Sequence, residues 1–174
     1  MGVITVWCRR VSVVVAAAAL FPGVSMPAAA GAGAAEREVR AAAKEIYTFA
    51  SGKCVDVAKR SAESGANIQQ WACNGTAGQK FRIEPVGDNR AVIKTFSDRC
   101  WDVAKAGTGD GANIQQWTCN GSAHQKFRLV HVGDRVNIRT FVDKCVGVQG
   151  AGTGNGVNIR QWKCNGSAAQ KFKI

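Results

Sequence analysis

A nine-residue stretch that occurs three times is the feature of this sequence that most limits its possible folds. It reads NIQQWACNG at 67–75, NIQQWTCNG at 113–121 and NIRQWKCNG at 158–166. Self-similarity at a fixed period indicates copies of one structural unit that bury their apolar faces only against each other. Cysteine, tryptophan and phenylalanine positions recur with the same steps of 46 and 45 residues: Cys54, Cys100 and Cys145; Trp71, Trp117 and Trp162; Phe81, Phe127 and Phe172.

The copies divide the chain into repeats at 46–92, 93–137 and 138–174. Each repeat contains four short runs rich in β-branched and aromatic residues, separated by Gly, Asn, Asp and Ser, and its Asn-Gly pair is a hairpin-turn signal. In the first repeat the runs are IYTF, CVDVA, NIQQWAC and KFRI. Twelve short strands in three equivalent units predict an all-β, closed structure with three-fold pseudo-symmetry, because closure leaves few exposed strand edges.

The first thirty residues have the composition of a secretory signal peptide. Arg9 and Arg10 precede the apolar run VSVVVAAAALF, and small residues follow it as far as Ala30. The run is too short to cross a bilayer, so no membrane span is expected. We predict a signal peptide at 1–30, a linker at 31–45, and a secreted protein, either extracellular or periplasmic.

Cysteine spacing predicts a disulfide in each repeat. Of seven cysteines, six lie after the signal peptide, and an even number in an exported chain indicates disulfides. The two cysteines of each repeat are 19 residues apart, so the symmetric pairing is the simplest of the alternatives: Cys54–Cys73, Cys100–Cys119 and Cys145–Cys164. Because the chain has no C-x-x-C pair and only two histidines, neither a metal site nor a cofactor is predicted.

Side-chain alternation then groups three polar and aromatic residues. If the bridged cysteines face each other across two antiparallel strands, Asp56 lies opposite Trp71. Asp56, Gln69 and Trp71 then share the face that carries the disulfide, while Val55, Val57 and Ile68 point into the core. A carboxylate can accept hydrogen bonds from sugar hydroxyls, an amide can both donate and accept, and a flat ring can pack on the apolar face of a pyranose.

These motifs resemble those of the ricin-type lectin domain, a β-trefoil of three repeats that binds carbohydrate. The resemblance covers 46–174 and depends on CVDV, NIQQWAC and QKF with their counterparts. It implies two sugar sites, in which Asp binds hydroxyls, Trp stacks on the ring and a Gln closes the repeat. The implied residues are Asp56, Gln69, Trp71 and Gln79 in the first repeat, and Asp102, Gln115, Trp117 and Gln125 in the second. The family's Gln-x-Trp motif is QKF here, so Phe81, Phe127 and Phe172 are expected in the core.

Two departures from the family pattern bear on binding. The Asn that often precedes the closing Gln is replaced by Gly78, His124 and Ala169, and His124 is a candidate replacement donor in the second site. The third repeat has Gly147 in place of the Asp and Arg160 in place of the first Gln, although it keeps Trp162 and Gln170. We interpret it as a degenerate third site that kept its fold; the alternative is that Arg160 beside Trp162 binds an acidic sugar.

The sequence therefore predicts a secreted, non-enzymatic lectin that recognises galactose-like or pentose-containing glycans through its first two repeats. An alternative is a degenerate trefoil that binds a protein, such as a separately encoded enzyme or toxin subunit. No Ser elbow, zinc-binding histidine pair or close carboxylate pair indicates an enzyme. The net charge of +11 falls to +9 without Arg9 and Arg10. We interpret this charge as favouring solubility and attraction to negative cell surfaces. The alternative is that the charge indicates an acidic polysaccharide or a nucleic acid as partner, of which we do not expect the nucleic acid.

Overall fold

The computed structural model describes residues 41–174, and in this part of the chain the regular secondary structure is twelve short β-strands and six single 3-10 turns. The predicted signal peptide at 1–30 and residues 31–40 of the predicted linker lie outside the described residues. The strands are β1 (Tyr47–Thr48), β2 (Cys54–Val57), β3 (Ile68–Trp71), β4 (Arg82–Pro85), β5 (Ala91–Lys94), β6 (Cys100–Val103), β7 (Ile114–Trp117), β8 (Arg128–Val132), β9 (Arg135–Arg139), β10 (Cys145–Val148), β11 (Ile159–Trp162) and β12 (Phe172–Lys173). The 3-10 turns are Ala58–Arg60, Ala77–Gln79, Ala104–Ala106, Ala123–Gln125, Gln149–Ala151 and Ala168–Gln170.

Six strands close into a ring. β1 pairs with β12, β12 with β9, β9 with β8, and β4 with β5, all antiparallel. Isolated bridges complete the ring: Ala91 of β5 pairs with Phe127 beside β8, and Phe81 beside β4 pairs with Lys44. Lys44 and Phe81 exchange two backbone hydrogen bonds of 2.8 Å, so pairing begins before residue 46. The predicted all-β fold with three-fold pseudo-symmetry is confirmed: the domain is a β-trefoil.

The other six strands form one hairpin in each repeat: β2–β3, β6–β7 and β10–β11. Isolated bridges join the hairpins pairwise in a triangle: Asn67 with Gln115, Asn113 with Arg160, and Asn158 with Gln69. The predicted disulfides are confirmed: Cys54–Cys73, Cys100–Cys119 and Cys145–Cys164 are bonded, with Cα–Cα distances of 5.0, 5.1 and 5.0 Å. Each bridge attaches the loop after the hairpin to the hairpin's first strand.

The core contains the residues that alternation assigned to it and one large residue that the sequence analysis missed. Val55, Val57 and Ile68 are fully buried, as are the phenylalanines of the three QKF motifs. Trp101, which replaces the Val55 and Val146 of the other repeats, is also fully buried. Its ring meets Phe81 and Phe127 edge to face, at centroid distances of 5.4 and 6.1 Å. The core therefore departs from three-fold symmetry at this tryptophan.

Candidate functional site: three clefts between the repeats

The β2–β3 pairing brings a carboxylate, an amide and an indole together, but in a register that differs from the predicted one. Asp56 lies opposite Gln69, and Cys54 lies opposite Trp71. The prediction that Asp56 lies opposite Trp71 was wrong, because the bridged cysteines do not face each other within the strands. Cys73 follows the last residue of β3 by two positions, and the chain bends back to bring it near Cys54. A shift of two residues preserves the face, so the grouping of the three side chains remains.

The first cleft has a volume of about 620 Å³ and lies beside β2 and β3. Asp56 is at its base with only 6% of its surface exposed, and Gln69 Nε2 donates a 3.2 Å hydrogen bond to Asp56 Oδ1. Trp71 is 39% exposed and forms one wall. The remaining lining residues are Ala58, Lys59, Arg60, Asn74 and Thr76. The cleft thus offers a buried acceptor, an amide and an accessible aromatic ring.

Burial raises the pKa of the Asp56 carboxyl above its usual range. Hydrogen bonds from Gln69 and Gln79 and the nearby charge of Arg60 act in the opposite direction and offset only part of that rise. Ionised Asp56 is therefore an acceptor that is incompletely compensated by its surroundings. A ligand that donates hydrogen bonds to it would supply the missing stabilisation.

The second cleft repeats this arrangement with a histidine added. Asp102 is 3% exposed and accepts hydrogen bonds from Gln115 Nε2 and Gln125 Nε2, both at 3.1 Å. His124 Nε2 lies 3.2 Å from Asp102 Oδ2, and Trp117 is 43% exposed. His124 lines the cleft, whose volume is about 390 Å³, smaller than the first. The histidine therefore places a side chain beside the carboxylate at the position where the first repeat has Gly78.

The closing glutamines Gln79, Gln125 and Gln170 are buried beneath the clefts. Each accepts a 2.9 Å hydrogen bond from the backbone N–H of Asn74, Asn120 or Asn165. Each also donates to the backbone carbonyl of Ala72, Thr118 or Lys163, at 3.0, 3.0 and 2.9 Å. Gln79 and Gln125 in addition hydrogen-bond the aspartate of their own repeat. Their contacts hold the loop and the carboxylate in place.

The third cleft, about 760 Å³, has no carboxylate from its own repeat. Gly147 pairs with Arg160, and a Cβ at Gly147 would lie 2.9 Å from Gln170 Cγ and 3.1 Å from the Ala169 carbonyl oxygen. Arg160 Nη1 donates a 2.9 Å hydrogen bond to the carbonyl of Gly111 on the second repeat. Trp162 lines the cleft but is less exposed than Trp71 and Trp117. Arg160 is not among the residues that line this cleft.

Each cleft is completed by a loop of a neighbouring repeat, which the sequence analysis did not anticipate. Gly156 lies beside Trp71, Gly65 beside Trp117, and Gly111 beside Trp162, with ring atoms 3.5 to 3.7 Å from where a Cβ would be. The residue before each glycine accepts a hydrogen bond from the backbone N–H that follows the tryptophan: Asn155 from Ala72 at 2.9 Å, Ser64 from Thr118 at 3.1 Å, and Asp110 from Lys163. These contacts set the position of each indole.

A buried glutamine anchors the same loops. Gln70 Nε2 donates to the Gly152 and Gly154 carbonyls at 2.8 and 2.9 Å. Gln116 and Gln161 make the equivalent bonds to the first and second repeats. The sequence did carry a signal for this role, because the second Gln of IQQW is unchanged in all three copies while the first becomes Arg160 in the third. The second Gln is therefore a link between repeats.

No group of three or more His, Cys, Asp or Glu side chains in residues 41–174 is placed to hold a metal ion. No helix within this part of the chain is long and apolar enough to span a membrane.

Comparison with known proteins defines the family. The family model described as "Ricin-type beta-trefoil lectin domain" matches residues 42–172. A search of curated proteins by sequence gave no match. The chain therefore belongs to the ricin-type β-trefoil lectin family, whose domains are carbohydrate-binding modules.

Solved structures show the same fold. The designed three-fold symmetric protein ThreeFoil is 30% identical, with a TM-score of 0.73 over 74% of this chain and 94% of that chain. The exo-β-1,3-galactanase 1,3Gal43A from Clostridium thermocellum is 29% identical, with a TM-score of 0.74 over 76% of this chain but only 29% of that chain. The C-half of an earthworm R-type lectin, solved with GalNAc, is 18% identical, with a TM-score of 0.60 over 75% of this chain and 95% of that chain.

Proposed function

We propose that this protein is a lectin that binds galactose-like or pentose-containing glycans through the first and second clefts. The main support is the combination, in both clefts, of a buried Asp that accepts a hydrogen bond from a Gln and an exposed Trp on the same face. A sugar ring can pack its apolar face on Trp71 or Trp117 while its hydroxyls donate to Asp56 or Asp102. The similarity to a module within a galactanase further supports galactose-containing polymers as ligands.

Several residues act indirectly in this proposal. Gln79 and Gln125 are buried, so we assign them to holding the carboxylates rather than to contact with the sugar. His124 stands beside Asp102 and supplies a donor where the family's Asn is absent. The third cleft, with Gly147, Arg160, Trp162 and Gln170, is proposed to be inactive toward neutral sugars because it lacks an aspartate of its own.

The wider setting is also part of the proposal. A signal peptide at 1–30 would export the chain, and the three disulfides suit an oxidising compartment. We propose a non-catalytic protein whose two shallow sites each bind with Kd values of roughly millimolar to micromolar, about 4 to 8 kcal/mol. Both sites lie on one rigid domain, so a polymer or a cell surface would be bound with avidity. A separately encoded enzyme or toxin subunit is a candidate partner.

Truncation of the exposed tryptophans tests this proposal. We expect a Trp71→Ala/Trp117→Ala variant to lose binding on an array of neutral, acidic and polymeric glycans, because it removes both stacking surfaces. An Asp56→Ala/Asp102→Ala variant should lose the same signals, and Trp162→Ala, with a matched truncation in the third cleft, should retain them. Thermal unfolding of each variant checks its fold. Array binding that both double variants retain would reject the two sites, and a target not displaced by free sugar would favour a protein partner.

The raised pKa of Asp56 predicts that the first cleft responds to acid. The second cleft is silenced by Trp117→Ala so that only the first cleft is measured. Affinity should then fall on acidification at a pH above the ordinary Asp pKa of about 3.9, because the ionised carboxylate accepts hydrogen bonds at both oxygens and protonation makes one of them a donor. The sign for folding is opposite: native Asp56 binds its proton more tightly, so its contribution to stability decreases as the pH rises through this window. Calorimetric titration at several pH values measures the first effect. Asp56→Asn is the control, with weaker binding that should not change in this range.

A further inference from the structure

The rims of the three clefts carry different charges at two equivalent positions. The first cleft has Lys59 and Arg60, the second Lys105 and Ala106, and the third Gly150 and Ala151. Within residues 41–174 the side chains of Lys59 and Arg60 form no hydrogen bond and no ion pair; Arg60 acts on Asp56 only through its charge. The partners of the Asp56 carboxylate are instead Gln69, which donates to Oδ1, and Gln79. The guanidinium donors of Arg60 are therefore available to a ligand.

The side chain of Arg60 fits beside Asp56 because Gly78 has no side chain. A Cβ at Gly78 would lie 2.9 Å from Arg60 Cγ, closer than non-bonded carbons approach. Gly78 does not have a positive φ, so its backbone does not require glycine. In the second repeat the sizes of the two side chains are reversed. The small Ala106 is equivalent to Arg60, and the large His124 is equivalent to Gly78. Beside Asp56, a large residue at position 60 is thus combined with glycine at position 78. Beside Asp102, a small residue at the position equivalent to 60 is combined with the large His124.

We infer that the first cleft selects a sugar unit bearing an anionic substituent, either a carboxylate or a sulfate ester, with Arg60 as the specificity-determining residue and Lys59 as a second cation. This inference depends on the proposed function, because Trp71 and Asp56 would bind the ring and its hydroxyls. A guanidinium matches the two oxygens of a carboxylate or sulfate with parallel hydrogen bonds, and these are stronger than bonds between neutral groups. The second cleft, with a single rim lysine and no arginine, would then prefer neutral sugars.

The test compares three ligands in a Trp117→Ala background: methyl β-galactopyranoside, its 6-sulfate and the corresponding methyl galacturonoside. Calorimetry at low and high salt measures affinity. We expect at least one anionic ligand to bind about tenfold more tightly than the neutral one at low salt, in line with a hydrogen bond to a charged group. High salt should reduce this preference. The two anionic arms distinguish sulfate from carboxylate as the preferred group.

Substitution of Arg60 identifies the residue responsible. Arg60→Gln should remove the preference for the anionic ligand, measured as the ratio of the affinities for the anionic and the neutral galactoside in the same variant. Lys105→Gln, which removes a rim charge from the second cleft, is the matched control and should leave the preference unchanged. A preference that survives Arg60→Gln would overturn the inference, as would equal affinities for the neutral and both anionic ligands.

A transplant of the pair gives an independent gain-of-function test. In a Trp71→Ala background, Ala106→Arg/His124→Gly should give the second cleft the same anionic preference. The backbone allows it, because φ is 49° at both Arg60 and Ala106. A transplanted cleft that binds neutral sugar without anionic preference would contradict the inference. If none of the three ligands binds the protein with Trp71 intact, and Trp71→Ala therefore changes no affinity, the proposed function itself fails. Binding of anions that is unaffected by Trp71→Ala would be general charge attraction and would also reject the inference.

Discussion

Replacing Trp101 by alanine is expected to lower the free energy of unfolding by about 3–5 kcal/mol, the range for large aromatic truncations in a core. Trp101 is fully buried and packs edge to face against Phe81 and Phe127, which come from the first and second repeats. The substitution would leave a cavity where these repeats meet, and the closed barrel cannot readily collapse around it. Urea unfolding of the disulfide-intact protein measures the change.

Trp117→Ala is the matched control for that experiment. It removes the same side chain, but from an exposed wall of the second cleft. Its expected cost is within about 1 kcal/mol, while carbohydrate binding by that cleft should be lost. Equal destabilisation by the two substitutions would contradict the assignment of Trp101 to the core and Trp117 to a ligand-facing wall.

Replacing Gln116 by leucine is expected to lower the free energy of unfolding by about 1–3 kcal/mol, because two partly buried carbonyls lose their donor. Gln116 is fully buried, and its Nε2 donates to the Ser61 and Glu63 carbonyls at 2.8 and 2.7 Å. Those carbonyls belong to the loop whose Gly65 packs beside Trp117. The variant should therefore also weaken binding in the second cleft, because that loop is no longer held.

The adjacent residue supplies the control. Gln115 faces the cleft and donates to Asp102, so Gln115→Leu should weaken binding with less effect on stability. Denaturation and calorimetric titration of both variants separate the two roles. A Gln116→Leu variant as stable as the parent protein would show that these cross-repeat hydrogen bonds do not hold the repeats together.

The repeat structure made much of this fold predictable. Identical spacings within each repeat predicted the disulfides, and the recurring β-rich runs predicted the strands. The core position of the phenylalanines followed from the resemblance of QKF to the family's Gln-x-Trp motif. Alternation along a strand also placed Asp56, Gln69 and Trp71 on one face. This grouping was correct although the predicted register was wrong by two residues, because side chains two residues apart in a strand point to the same face.

Contacts between repeats were not predictable in the same way. The spacing within one copy carries no information about which loop of another copy reaches its cleft, so Asn155 beside Ala72 and Gln70 beneath Gly152 were missed. Departures from symmetry were equally hidden. Trp101 reads as one more apolar residue in a strand, and the exchange between Arg60 and Gly78 is visible only when the space beside Asp56 is known.

The central claim, that two of the three clefts bind sugar, can be tested most directly through the indole N–H signals of the four tryptophans in residues 41–174. In a two-dimensional ¹⁵N–¹H spectrum, titration with methyl β-galactopyranoside should shift the signals of Trp71 and Trp117. The signal of the buried Trp101 should remain in place and serve as the internal reference, and the signal of Trp162 in the third cleft should not shift either. Shifts of Trp71 and Trp117 that saturate with ligand would support the account. A saturating shift of Trp162, or unchanged signals of both Trp71 and Trp117 with this and a pentose ligand, would contradict it.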